Sequence, residues 1–171
     1  MGERLVPGRL EILPGLGPVR VRAVRTEDAA PLAAFFAGAM TPDDIRARFF
    51  SAKPPSGYVE GLSHPDFAHD MVMLAVAEAA GDLLGGVRLV DAPDASRAEV
   101  AISIRSDLKH RGLGRLLMAS ALDYARRHGT ADVVADIQAG NRASLGLARQ
   151  MGFTFSRSLA APSMVRAQRH L

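Results

Sequence analysis

The stretch EVAISIRSDLKHRGLGRLLM, Glu99–Met118, joins a run of alternating pattern, Glu99–Ile104, to one with apolar residues at helical spacing, Gly112–His128. The first reads as a strand and the second as a helix. A helix entered directly from a strand leaves its first N–H groups unpaired, and their partial positive charge attracts anions. Gly112 and Gly114 remove side chains that would hold a phosphate off the backbone, and they permit conformations other residues resist. Lys109, Arg111 and Arg115 add full charges. A tight turn with solvent-facing bases would use the same residue types, but the combination reads as a cradle for a phosphorylated ligand. It is not a Walker loop, because no Gly-Lys-Ser/Thr follows, and it lacks the third glycine of a dinucleotide fingerprint.

Upstream of the joint, MVMLAVAEAAGDLLGGVRLVD supplies two strands about a turn near Gly81–Asp82, and Ala98–Ile104 completes an antiparallel meander. Further back, VRVRAVR alternates as a half-buried strand. Thr26 reads as the N-cap of a helix running to about Met40, and Thr41, Pro42 and Asp44 open a second, short helix. A helical turn is expected near Tyr58–Leu62. Residues 1–18, with Pro7, Pro14 and Pro18 set among Gly8, Gly15 and Gly17, read as a leader outside the core, and residues 19–171 as a single domain. Downstream, Leu113, Leu116, Leu117, Ser120, Ala121 and Tyr124 form one buried helix stripe, ended by Gly129. DVVADIQ is a strand, Asn141 caps a helix stopped by Gly152, and two strands close the chain. The order is β-α-α-β-β-β-α-β-α-β-β.

The chain has 171 residues, 48% hydrophobic and 23% charged, as expected of one folded domain. It contains no cysteine, so disulfides, thiolate metal sites and cysteine nucleophiles are absent, in keeping with a reducing cytoplasm. No run approaches the roughly 20 apolar residues of a membrane span, and the first residues lack a signal-peptide layout. A net charge of +3 with 5% aromatic residues and no tryptophan argues against nucleic-acid binding. Oligomeric state stays open between monomer and homodimer.

VAISIRSDLKHRGLGRLLM followed by NRASLGLARQMGF resembles the acetyl-CoA motif of the GNAT superfamily of N-acetyltransferases. The RFF after the early helices and AEVAISIRSDLKHRGLGRLLM look most like bacterial Pat-type protein lysine acetyltransferase domains. The resemblance implies a mixed α/β fold: a mostly antiparallel, twisted sheet of six to seven strands, splayed between the fourth and fifth, with about four helices. It implies acetyl-CoA as cosubstrate, with backbone amides from Arg111, Gly112, Leu113, Gly114, Arg115 and Leu116 on the pyrophosphate. Lys109 stands where the motif has Gln or Arg. Ile102, Ser103 and Ile104 would offer main-chain groups to pantetheine at the splay. Asn141 matches a position near the pantetheine arm, although a helix cap explains it equally well. A tyrosine common in the family as general acid toward the thiolate is replaced by Ala148; Tyr124, on the buried stripe, is no obvious substitute, and Tyr58 is the only other tyrosine.

The resemblance also places a catalytic glutamate at Glu99, where a polar residue paired with Arg97 is the plainer alternative. Acyl transfer to an amine needs a base, because a free lysine with pKa near 10.4 costs about 4 to 5 kcal/mol to deprotonate at pH 7. With neither a cysteine nor a Ser-His-acid set, direct attack in a ternary complex is expected. A protein lysine is the favoured acceptor. The alternatives are a small amine, or a non-catalytic module that senses acyl-CoA. His64, Asp66, His69 and Asp70 in HPDFAHD read as turn residues rather than metal ligands. Arg48, Phe49 and Phe50 are candidates for the acceptor side.

Overall fold

The structure, a computed structural model, describes residues 8–93, 96–157 and 161–171. Its strands β1 (Arg9–Leu13), β2 (Gly17–Ala23), β3 (Asp70–Ala77), β4 (Leu83–Asp91), β5 (Arg97–Ile104), β6 (Asp132–Gln138), β7 (Thr154–Arg157) and β8 (Met164–His170) form one sheet, ordered β1-β2-β3-β4-β5-β6-β8-β7. Eight strands exceed the expected six to seven because part of the anticipated leader folds. Arg9–Leu13 pairs antiparallel with Gly17–Val21, and Gly15 and Gly17 turn between them at φ 72° and 73°. Pro and Gly here punctuate a hairpin rather than exclude one. The first seven residues of that segment lie outside the described residues.

The helices are α1 (Ala29–Ala34), α2 (Pro42–Phe49), α3 (Tyr58–Leu62), α4 (Leu113–Arg127) and α5 (Arg142–Gln150). A 3-10 turn, Thr26–Asp28, leads into α1, and Thr26 is not its cap. The buried carboxylate of Asp28 instead accepts the Arg25 N–H at 2.7 Å and both ends of the Arg22 guanidinium at 2.7 Å. Burial alone would raise the pKa of Asp28. The bonds from Arg22 and from the Arg25 amide, with the charges of both arginines, outweigh it and hold the carboxyl below its ordinary value. The start of α2 is as read, with Thr41 Oγ1 accepting from Asp44 N–H at 3.3 Å.

On one face of the sheet α4 and α5 bury Leu113, Leu116, Leu117, Ala121 and Ala148 against Met73, Val87, Val100 and Val133. On the other, α1 and α3 cover Val72 and Leu74 with Leu32 and Leu62. Strands β3, β4 and β5 form the expected meander. Its β4 side skips Leu84, since Ala75 pairs with Gly85 and Val76 with Leu83; this bulge bends the strand. Between β5 and β6 the pairing is parallel and covers only Arg97–Asp132, Ala98–Val133 and Glu99–Val134. Beyond Glu99 the strands part, which is the expected splay; β6 then pairs with β8 along its whole length.

Candidate active site

The joint between β5 and α4 has the backbone of an anion cradle. His110 and Gly112 have φ of 61° and 89°, whereas Arg111 between them does not have positive φ. Such alternation of handedness turns neighbouring N–H groups toward one point. The first helical donor after the joint is Leu116, to Gly112 O at 3.0 Å. The N–H groups of Leu113, Gly114 and Arg115 precede it, and no side chain caps them.

The two glycines serve different ends from the shared one expected. Gly112 is required by its positive φ; a Cβ there would only touch Leu13 Cδ2 at 3.4 Å. At Gly114 a Cβ would face Leu147 Cδ2 at 3.1 Å and Ile104 Cδ1 at 3.2 Å, so this glycine lets α4 sit close to α5 and the tip of β5. Leu113 and Leu116 point their side chains into the core, leaving only their backbone for a ligand. Arg115 is exposed. Arg111 reaches back to the Gly15 carbonyl at 3.4 Å, against the β1–β2 turn. The Lys109 ammonium is held by the carboxylate of Asp44 on α2, so its side chain does not point freely toward the cradle.

Beside the joint, Ile102, Ser103 and Ile104 lie on the parted portion of β5. They pair with Val87, Gly86 and Gly85 on one edge, and no β6 pairing continues on the other. Sequence reasoning missed the part played by Gly85. A Cβ there would stand 2.7 Å from the Ser103 carbonyl oxygen and 3.3 Å from Ile104 Cα, so only glycine lets β4 approach this segment. The Gly-Gly inside an apolar strand was the available signal.

A cleft opens on the α1/α3 face, between Phe36, just after α1, and Tyr58 on α3 on one side and Gly86, Arg88, Ala101 and Ser103 of the strands on the other. Arg88 is forked onto Asp70 at 2.9 and 2.5 Å, with its guanidinium carbon 5.4 Å from the centre of the Tyr58 ring. Arg48 donates to the Tyr58 hydroxyl at 2.7 Å, and Phe49 packs edge-on to Tyr58 and Phe36. The expected acceptor-side residues Arg48 and Phe49 thus contact Tyr58 without themselves lining the cleft. Phe50 does not join them; it ends α2 at φ 57° and is exposed.

Glu99 is exposed at the point where β5 and β6 part. By strand alternation it shares a face with Ala101 and Ser103, about 7 Å along the strand from Ala101. Asn141 Oδ1 accepts from Ser144 N–H at 3.1 Å, so capping is its visible role. Ala148 is 2% exposed in the core, leaving no space for a tyrosine side chain. Tyr124 stacks on His128 at 3.9 Å near the far end of α4, whereas Tyr58 lines the cleft. In HPDFAHD, Asp70 serves Arg88 and Asp66 caps a turn by accepting from Ala68 N–H at 3.0 Å.

Residues 40–153 match the Acetyltransferase (GNAT) family. L-methionine sulfoximine/L-methionine sulfone acetyltransferases of Pseudomonas paraeruginosa (strain PA7) and Pseudomonas aeruginosa (strain PAO1) are 31% and 34% identical over 122 residues, 68% of this chain. The chain spans 63% of the length of these curated relatives. Among solved structures, the GNAT domain of S. lividans PAT superposes with a TM-score of 0.86 at 24% identity, covering 96% of this chain and 97% of that one. Spermidine N-acetyltransferase from Vibrio cholerae in complex with CoA and spermine gives 0.70 at 18% identity, covering 89% and 95%. Among the described residues no helix is long and apolar enough to cross a membrane.

Proposed function

Because this chain belongs to the acetyltransferase (GNAT) family, we propose that it transfers the acetyl group of acetyl-CoA to a primary amine, the side chain of a protein lysine, by direct attack in a ternary complex. The observation that carries this reading is the conjunction at one end of β5. Unpaired α4 amides for a diphosphate lie beside parted strands that leave main-chain groups free, with Glu99 at their apex. In this arrangement the pyrophosphate sits on the amides of residues 111–116, and pantetheine runs along Ile102–Ile104. The thioester is then directed toward the cleft.

The acceptor nitrogen, as the neutral amine, forms a bond to the thioester carbonyl carbon. Its proton passes to Glu99, directly or through one water, and the C–S bond breaks to release the CoA thiolate, which solvent reprotonates. The cleft suits an aliphatic stem, being lined mainly by Phe36, Tyr58, Gly86 and Ala101. The guanidinium that lines it, that of Arg88, is already engaged by Asp70. A free amino acid would need it for its carboxylate.

A second reading, a small amino-acid acceptor, is supported by the curated relatives named for L-methionine sulfoximine and L-methionine sulfone. Thiol release from acetyl-CoA, measured with lysine-containing peptides, methionine sulfone and spermidine, decides between them. Peptide-dependent release supports the protein acceptor; release with methionine sulfone alone replaces it by the second reading. Tight CoA binding without acceptor-dependent release makes the chain an acyl-CoA sensor. Glu99→Gln should lower turnover about 10²-fold or more while CoA affinity is retained, and unchanged turnover removes Glu99 as the base.

A further inference from the structure

Helix α2 bridges the two arms of the parted strands. On the β5 side, the Thr41 N–H donates to Ser106 Oγ at 2.8 Å. The Ser106 hydroxyl and the Lys109 ammonium donate to different oxygens of the Asp44 carboxylate. On the β6 side, Gln138 Nε2 donates to the Arg46 carbonyl at 3.5 Å. One turn beyond Asp44, on the same helix face, Arg48 donates to the Tyr58 hydroxyl and lies 4.7 Å from the centre of the Phe49 ring. One short helix therefore holds the loop that leads into the α4 cradle at one end and a wall of the acceptor cleft at the other.

We propose that Asp44 is a positioning residue for the acceptor cleft, acting through Lys109 and Ser106 to set helix α2, and with it Arg48 and Tyr58, from the cradle loop. This rests on the cofactor reading above. The Asp44 side chain is 17% exposed, and drawing Lys109 away to a phosphate would leave a largely buried carboxylate without its cation, which is costly. The pair therefore persists when a diphosphate occupies the cradle, and Lys109 is a tether rather than a phosphate ligand. An anion that orders residues 110–115 also steadies residues 105–109 and, through them, α2. The consequence is an order of events in which CoA binding shapes the cleft that receives the amine.

Hydrogen exchange across residues 42–49, with and without saturating CoA, reads this link, and calorimetric titration of CoA reads the cradle by itself. CoA should slow wild-type exchange across 42–49 about threefold or more. Asp44→Asn and Lys109→Met should bind CoA within about threefold of wild type yet show no CoA-dependent change over those residues. Lys109→Arg, which keeps the ion pair, should keep the response. A merely structural contact would speed exchange in the variants without removing their response to CoA. The proposal is overturned if CoA leaves wild-type exchange over 42–49 unchanged, or if the response survives in both pair-breaking variants. It is overturned too if Lys109→Met alone weakens CoA about tenfold or more, as loss of a phosphate ligand would. A wild type that gives no heat with CoA instead removes the cofactor reading itself, and this proposal with it.

Discussion

Replacing Gly112 by alanine tests the cradle at its most constrained point. At φ 89° an L-residue is strained, by about 1–2 kcal/mol. The added methyl group contributes nothing further, since its nearest neighbour, Leu13 Cδ2, would be at an ordinary 3.4 Å. The strain has two outlets. If the loop keeps its shape, the folded state carries the whole cost, and the melting temperature falls by about 2–8 °C with CoA affinity unchanged. If the free loop relaxes out of the left-handed region, the cost returns on binding, and the CoA dissociation constant rises about 5- to 30-fold. The two losses should sum to about 1–2 kcal/mol, so thermal melts and calorimetry on the same preparation close the account. Gly146→Ala is the control, because Gly146 lies on α5 with no positive φ and its new methyl would meet nothing within 4 Å. A Gly112→Ala protein with unaltered melting temperature and unaltered CoA affinity refutes the assignment of this backbone as the cradle.

Gly85→Ala should weaken CoA binding through β5, because a Cβ 2.7 Å from the Ser103 carbonyl can be accommodated only by moving backbone; calorimetry should show the loss alongside about 1–3 kcal/mol of destabilisation. Ala148→Tyr should lower stability by a similar amount and give no gain in turnover, since the site is closed; a faster enzyme would show that the lost acid position is still aligned. Acid should destabilise the fold through Asp28 and Asp44, both held below the ordinary carboxyl value of 3.8 in the folded state. For Asp44, burial opposes this, but the bonds from Lys109, Ser106 and Thr41 prevail. The unfolded chain then binds more protons at low pH, so their contribution is present above the ordinary value and lost as pH falls through the lowered folded ones. Melting temperatures from pH 6 to 2 should show it, and Asp28→Asn should flatten the acid limb.

Local pattern sufficed where one element decides its own conformation. The strand-to-helix joint, the caps at Thr41 and Asn141, the meander and the stop at Gly129 all follow from side-chain period and terminal chemistry. The misreadings share a cause in contacts that no local pattern encodes. Proline and glycine in the first 18 residues mark a turn whose partner strand gives it a reason to fold. Gly114 looks like a twin of Gly112, yet what demands glycine there is Leu147, some thirty residues on. The pairing of Lys109 with Asp44 is likewise a contact that the local sequence does not encode. The cleft is assembled from α1 and the turn after it, α3, β3, β4 and β5, so no single stretch announces it. Glu99 is proposed through resemblance, and its position at the parting of β5 and β6 is a property of the sheet.

The three-rung seam between β5 and β6 also bears on how the molecule comes apart. Strands β1 to β5 form one antiparallel block, and β6, β8 and β7 another. Among the described residues, the strand pairing that joins the two is the run from Arg97–Asp132 to Glu99–Val134, with helices packed across it. A line of weakness runs through the middle of the sheet rather than along its rim. Amides of the carboxyl-end block should exchange together through a shared opening that leaves the larger block intact, and a ligand wedged into the parted strands would close that fault by bonding to one of its walls.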